Sequence, residues 1–190
     1  QKRRTKKRLP ERNPAPLAVP AQANYSWTFD FMSDALYNGT RFRVLNILDE
    51  GVREALDIVV DTSLPAARLV RVPEQLKAER GLPKMIRVDN GSEMPALLFT
   101  QWCAENGVTI RYIEPGKPNQ NAYIERFNKS YRNEVLDPHL FSCLTQVREL
   151  SWAWMISYNE ERPHESLGNL PPSEFKRRVT AKVSSYELCA

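Results

Sequence analysis

From Ser26 the chain alternates between apolar and polar positions. Trp27, Phe29 and Phe31 are separated by Thr28, Asp30 and Met32, the period of two that marks a strand with one buried face, and this predicts a strand over 26–32. Asn38-Gly39 is a hairpin turn signal. Apolar runs at 42–48 and 55–60 predict two further strands, joined by short connections into an antiparallel meander. Thr62 or Ser63 is placed to cap a helix entered through Pro65, with Leu69, Val72 and Leu76 along one side. Pro73 falls inside that pattern and predicts a kink or an early end, and Gly81 closes the segment. Residues 84–89, with Met85, Ile86 and Val88 apolar, read as a short buried strand. A helix over 95–106 follows, with Leu98, Trp102 and Cys103 facing inward and Gly107 as its stop. Residues 108–113 are another strand, and 114–121 form a loop rich in turn formers. Asn121 caps a helix from Ala122 to about Glu134. A last helix over 144–158 is too aromatic to be fully exposed, with Trp152, Trp154 and Tyr158 along it. Three strands followed by alternating strand and helix predict an α/β fold with a mixed sheet flanked by helices.

Charge divides this chain unevenly. Seven of its 27 basic residues lie in positions 1–12 against a single acid, so this arm carries +6 and the remainder −2. Lys2, Arg3, Arg4, Lys6, Lys7 and Arg8 form a run with no apolar period, a candidate phosphate-binding segment whose plainer reading is a solvated tail. Pro10, Pro14, Pro16 and Pro20 then favour an extended linker. The organisation expected is a basic, Pro-rich arm over 1–23, a folded core over 24–178 and a C-terminal tail over 179–190. Three widely spaced cysteines, Cys103, Cys143 and Cys189, argue for reduced thiols in a cytoplasmic protein and against a disulfide scaffold or zinc ribbon. No apolar run reaches the roughly 18 residues needed to span a bilayer. The first residue, Gln1, marks the chain as a candidate fragment or processed product.

Three acids stand out. Asp30 lies mid-strand on the face opposite Trp27 and Phe29, where a carboxylate is costly unless it is paired or binds metal. Asp89 ends a strand just before Asn90-Gly91, at the carboxyl edge where α/β folds gather their ligands. Glu125 shares a helix face with Asn121, Asn128 and Arg132, while Ile124, Phe127 and Tyr131 bury another. Each has a plain reading when taken alone: a salt-bridged strand acid, a turn, and an exposed glutamate paired with Lys129. Together, with 58 residues between the first two and 35 between the last two, they form a set able to hold hard divalent cations.

At this point the chain resembles the retroviral-integrase-like catalytic core, and within it the bacterial insertion-sequence transposases. The matching residues run in order over about 24–176: Trp27-Thr-Phe-Asp30-Phe31, Leu45-Asn-Ile-Leu-Asp49, Arg53-Glu54-Ala-Leu56, Val88-Asp-Asn-Gly-Ser-Glu93, Pro115-Gly-Lys-Pro-Asn-Gln-Asn-Ala-Tyr-Ile-Glu-Arg-Phe-Asn128, Tyr158-Asn159 with Arg162-Pro163-His164, and Pro172-Ser-Glu-Phe175. Asp30, Asp89 and Glu125 look like the DDE triad of that family. The resemblance implies a ribonuclease-H-like fold with a five-stranded mixed sheet. It implies a polynucleotidyl transferase that uses two Mg2+ or Mn2+ ions to cleave 3′ ends and join them to target DNA. It implies double-stranded DNA as partner, both element ends and target, and a homo-oligomer on that DNA. It implies a DNA contact from Arg132 and recognition helices in a portion preceding this chain; Lys117, in the loop before the helix of Glu125, is a second candidate DNA contact, with Asn119, Gln120 and Lys129 as further candidates. Two other readings stay open on sequence: a ribonuclease-H-like nuclease that cuts without joining, and an inactive DNA-binding remnant. His164 is expected to be structural rather than catalytic.

Overall fold

The computed structural model describes residues 19–89, 97–114 and 121–187. The strands are β1 (Ser26–Ala35), β2 (Arg41–Asp49), β3 (Ala55–Asp61), β4 (Met85–Val88) and β5 (Thr109–Tyr112). The helices are α1 (Ala66–Arg80), α2 (Leu97–Glu105), α3 (Ala122–Tyr131), α4 (Leu144–Glu160) and α5 (Pro172–Glu187). One five-stranded sheet runs in the order β3-β2-β1-β4-β5. The β1–β2 and β2–β3 pairs are antiparallel, as the short meander connections require, while β4 and β5 join parallel to β1 after helical crossovers. The expected mixed sheet is present, with each strand within three residues of its sequence-based end.

The period-two pattern sorts the side chains into two cores. Trp27 and Phe29 of β1, Leu45 and Ile47 of β2, and Ile86 and Val88 of β4 meet Leu69, Val72 and Leu76 of α1 and Phe99, Trp102 and Cys103 of α2. Behind the sheet, Val44 and Leu48 of β2 and Ile58 and Val60 of β3 meet Ile124, Phe127 and Tyr131 of α3, with Val147, Met155 and Tyr158 of α4. Edge-to-face contacts from Phe127 to Tyr158 at 4.9 Å and to Trp154 at 5.2 Å fasten α3 to α4.

Several local expectations are corrected. The first helix continues past Pro73 to Arg80, so it does not end early there. Pro73 is itself buried, and Leu69, Val72 and Leu76 anchor the helix on both sides of it, so packing outweighs the lost backbone hydrogen bond. Neither Thr62 nor Ser63 caps that helix; Pro65 holds the N-cap position. In α2 the inward residue is Phe99, while Leu98 is nearly half exposed. The stripe is Phe99, Trp102, Cys103, at i, i+3 and i+4. The helix after Asn121 is α-helical only to Tyr131 and then widens into a π-helical turn over Arg132–Leu136, closed by Asp137 N donating to the Arg132 carbonyl at 2.8 Å. This turn brings both Val135 and Leu136 into the core. Of the three aromatics expected to be covered on α4, Tyr158 is buried and Trp154 partly so, but Trp152 is 62% exposed.

Candidate active site

Asp30 sits in the middle of β1, paired across the antiparallel ladder with Asn46 of β2. On its other side, the parallel register matches Phe29 with Val88, so Asp89 leaves β4 beside Asp30 on a neighbouring strand. Adjacent strands are about 4.8 Å apart, which sets these two acids side by side without any loop to position them. Glu125 comes from α3, which crosses this face of the sheet because Ile124, Phe127 and Tyr131 bury its opposite stripe. The start of α3 is tied to β1 by Thr28 Oγ1 donating to Asn121 Oδ1 at 3.3 Å. Asn121 therefore spends its side chain on the sheet and does not cap its own helix, which corrects the expected cap.

The Asp30 carboxylate accepts two hydrogen bonds, from the Phe31 N–H at 2.9 Å and from Asn128 Nδ2 at 2.7 Å. Both donors are neutral, and no ion pair reaches Asp30 among the described residues, so it is not the salt-bridged strand acid of the plainer reading. Burial pushes its pKa up to about 6, and the charges of Asp89 and Glu125 push in the same direction; the two hydrogen bonds only partly offset them. Asp89 and Glu125, one at a strand end and one on a helix, thus both lie within electrostatic reach of Asp30. Among the described residues no group of three or more His, Cys, Asp or Glu side chains closes to the spacing of a metal-ligand cage. The donor chemistry nevertheless fits a hard divalent cation: carboxylate oxygens, a half-buried acid with no ion pair among the described residues, and two further acids beside it.

Asn46 and Asn128 were not singled out as site residues by sequence. Asn46 is fully buried, and its Nδ2 donates to Asn128 Oδ1 at 2.7 Å. A polar residue inside the run Val44-Leu45-Asn46-Ile47-Leu48 was the available signal. Arg132 lies on the flank of the same helix, but its guanidinium is turned to the end of β1. It donates to Asp34 Oδ2 at 3.2 Å and to the Ser33 carbonyl at 3.0 Å, and remains 37% exposed. Lys129 is exposed on α3. Lys117, Asn119 and Gln120, and the arm residues Lys2, Arg3, Arg4, Lys6, Lys7 and Arg8, lie outside the described residues.

The block near the C-terminus acts as a clamp. Asn159 mimics a strand neighbour, accepting from the Ala55 N–H and donating to its carbonyl, both at 2.8 Å. Arg162 holds the Glu134 carboxylate through both oxygens. His164 stacks edge-on against Tyr158 at 4.9 Å, and burial together with three nearby arginines pulls its pKa down to about 4. At the start of β1, Glu50 joins Ser26 and Arg87, while Arg80 bridges Asp49 and Glu54. These buried pairs brace the sheet away from Asp30.

Comparison with known proteins adds a family. Residues 20–118 match one model of an integrase core domain, and residues 106–172 match a second. An uncharacterized 31.7 kDa protein of insertion element IS407 from Burkholderia multivorans is 44% identical over 167 residues, 87% of this chain and 60% of its own length. A transposase for insertion sequence element IS629 from Shigella sonnei is 26% identical over 173 residues, 90% of this chain and 58% of its own. The chain therefore spans about three fifths of these relatives. The HTLV-2 integrase catalytic core domain, solved in complex with magnesium, superposes with a TM-score of 0.64 at 13% identity, covering 83% of this chain and 99% of that one. At that identity the likeness speaks for the fold, which is ribonuclease-H-like.

Proposed function

The chain belongs to the integrase core domain family, and from that premise we propose that it is the catalytic core of an insertion-sequence transposase. Its reaction is metal-dependent cleavage at the 3′ ends of mobile-element DNA, followed by joining of those ends to target DNA. In the first step water attacks an end phosphodiester, the bond to the element's 3′ oxygen breaks, and that oxygen takes a proton as a free hydroxyl. In the second, that hydroxyl attacks a target phosphorus, forming the new P–O bond and releasing a target 3′ hydroxyl. No serine, tyrosine or cysteine intermediate is required.

Asp30, Asp89 and Glu125 are the residues that would hold two Mg2+ or Mn2+ ions. When bound, those ions would supply positive charge at the phosphoryl oxygens. Asp30 offers the fixed carboxylate, half-buried on the sheet and oriented by Asn128; Glu125 offers one carried on a helix. Lys129 and Arg132 stand on that helix as phosphate contacts, and Arg132 would exchange Asp34 for a DNA phosphate. Lys117, Asn119, Gln120 and the basic arm extend the proposed surface, and a homo-oligomer on paired DNA ends completes it.

The observation that carries this reading is the half-buried Asp30 carboxylate, met by two neutral donors and coupled to the charges of Asp89 and Glu125. The test is strand transfer with pre-cleaved element ends in Mn2+, comparing the chain with Asp89→Asn and Glu125→Gln. Joined product is expected only from the unsubstituted chain, and equal product from all three removes the assignment. A nuclease without joining activity gains nothing from the relatives, which come from mobile elements.

A further inference from the structure

Asp30, Asn128 and Asn46 form a hydrogen-bonded line with a defined polarity. Asn128 donates from Nδ2 to Asp30, which turns its Oδ1 toward Asn46, and Asn46 meets that oxygen with its own Nδ2. This leaves Asn46 Oδ1 buried with no hydrogen-bond partner. Reversing both amides would pair that oxygen with Asn128 Nδ2 but would move the Asn46 amino group to the partnerless position and away from Met32. The same reversal would turn the Asn128 oxygen onto the Asp30 carboxylate, acceptor against acceptor. The fold keeps the arrangement that leaves an orphan acceptor in its core and aims a donor at Asp30. Either polarity leaves one buried polar atom of Asn46 without a partner, so what separates the two is the contact with Asp30, a donor facing the carboxylate in one and an acceptor in the other. The Asn46 Nδ2 also lies 3.2 Å from Met32 Sδ, a weak acceptor that adds a second reason for the amino group to stay on that side.

From this geometry we infer that Asn46 is a positioning residue: by locking the amide of Asn128, it sets the direction of the Asp30 carboxylate. It touches neither metal nor DNA and acts only through Asn128. The inference rests on the reading of Asp30 as a site carboxylate, and it names the residue of β2 directly across the ladder that supports that site from the neighbouring strand.

The test is Asn46→Val in the full chain, with two readouts. In the metal-free protein, the side-chain amide of Asn128 is followed by nitrogen–proton correlation NMR and identified by its loss in Asn128→Ala. Its two proton signals are expected to collapse toward those of a free amide in Asn46→Val, with the melting temperature unchanged or higher because the orphan oxygen is gone. In strand transfer, kcat is expected to fall about tenfold with KM for DNA unchanged, and to fall no further when Asn46→Val is added to Asn128→Ala. Unmoved Asn128 signals overturn the inference, as do losses that multiply in the double variant, or a lowered melting temperature with the amide still in place. Should Asn46→Val not fold, Asn46→Ser retains a donor in a smaller side chain, and retained Asn128 signals are expected there; their loss counts against the lock. If the unsubstituted chain joins no DNA, the proposed function fails while the NMR readout still decides this one.

Discussion

Replacing Asp30 by Asn should make the protein more stable at neutral pH, and by an amount the structure bounds. The carboxyl titrates near 6 in the fold against 3.8 for the unperturbed group. Between those values the unfolded chain has released its proton and the native chain still holds it. Native stability therefore falls as pH rises from about 4 to about 6 and stays low above that. A shift of roughly two units corresponds to about 3 kcal/mol, which partial exposure of the side chain reduces to about 2 kcal/mol. Asn keeps one acceptor for Asn128 but loses a charge-assisted bond to the Phe31 N–H, at about 1 kcal/mol. The net expectation is a gain of about 1 kcal/mol at pH 7.5 and a small loss at pH 4, with the crossing in between. Urea unfolding followed by tryptophan fluorescence, in chelator at pH 4, 6 and 7.5, measures the difference directly. Other groups that titrate in this range are common to both proteins and drop out of it. A difference that does not vary with pH, or a variant less stable at pH 7.5, would refute the account of Asp30 as a half-buried acid without a counter-charge.

Three other outcomes are expected. Mn2+ or Mg2+ should raise the melting temperature, by the equivalent of about 2.7 kcal/mol at a hundredfold excess over Kd; Glu125→Gln should blunt the shift seen by calorimetry. His164 is held neutral down to about pH 4, so it contributes stability that is complete above its unfolded pKa of 6.5 and lost as pH falls toward 4. His164→Phe keeps the edge contact with Tyr158 and should flatten the pH dependence of stability across that window. Phe127→Ala, which empties the joint between α3 and α4, should cost about 3–5 kcal/mol in chemical denaturation.

Strand positions were legible because alternation is a strong local signal, and Trp27, Phe29 and Asp30 fell on the faces it assigned them. The closeness of Asp30 to Asp89 was expected from their spacing and from the family resemblance, not from local pattern, since it depends on the parallel register of two strands far apart in the chain. Pro73 misled because a local steric rule was weighed without the burial that overrides it. Asn121 misled in the same way: its side chain had a choice between its own helix end and Thr28, and only the tertiary fold decides that. Leu98 and Phe99 were exchanged because the phase of α2 is set by what it packs on, not by composition. Asn46 is the instructive omission. Its burial within an apolar run was visible, but the partner that explains it lies 82 residues away.

The widened turn over Arg132–Leu136 makes spacing, and not only residue identity, a constraint on this protein. Deleting a single residue there would restore ordinary helical pitch and move the side chains left in the turn by one position, about 100° each. Glu134 would lose Arg162, and Val135 or Leu136 would leave the core. Homologous chains should therefore accept exchanges of side chain across this stretch far more readily than insertions or deletions, and an alignment gap placed between Glu125 and Phe141 should be treated as an alignment error until a structure argues otherwise.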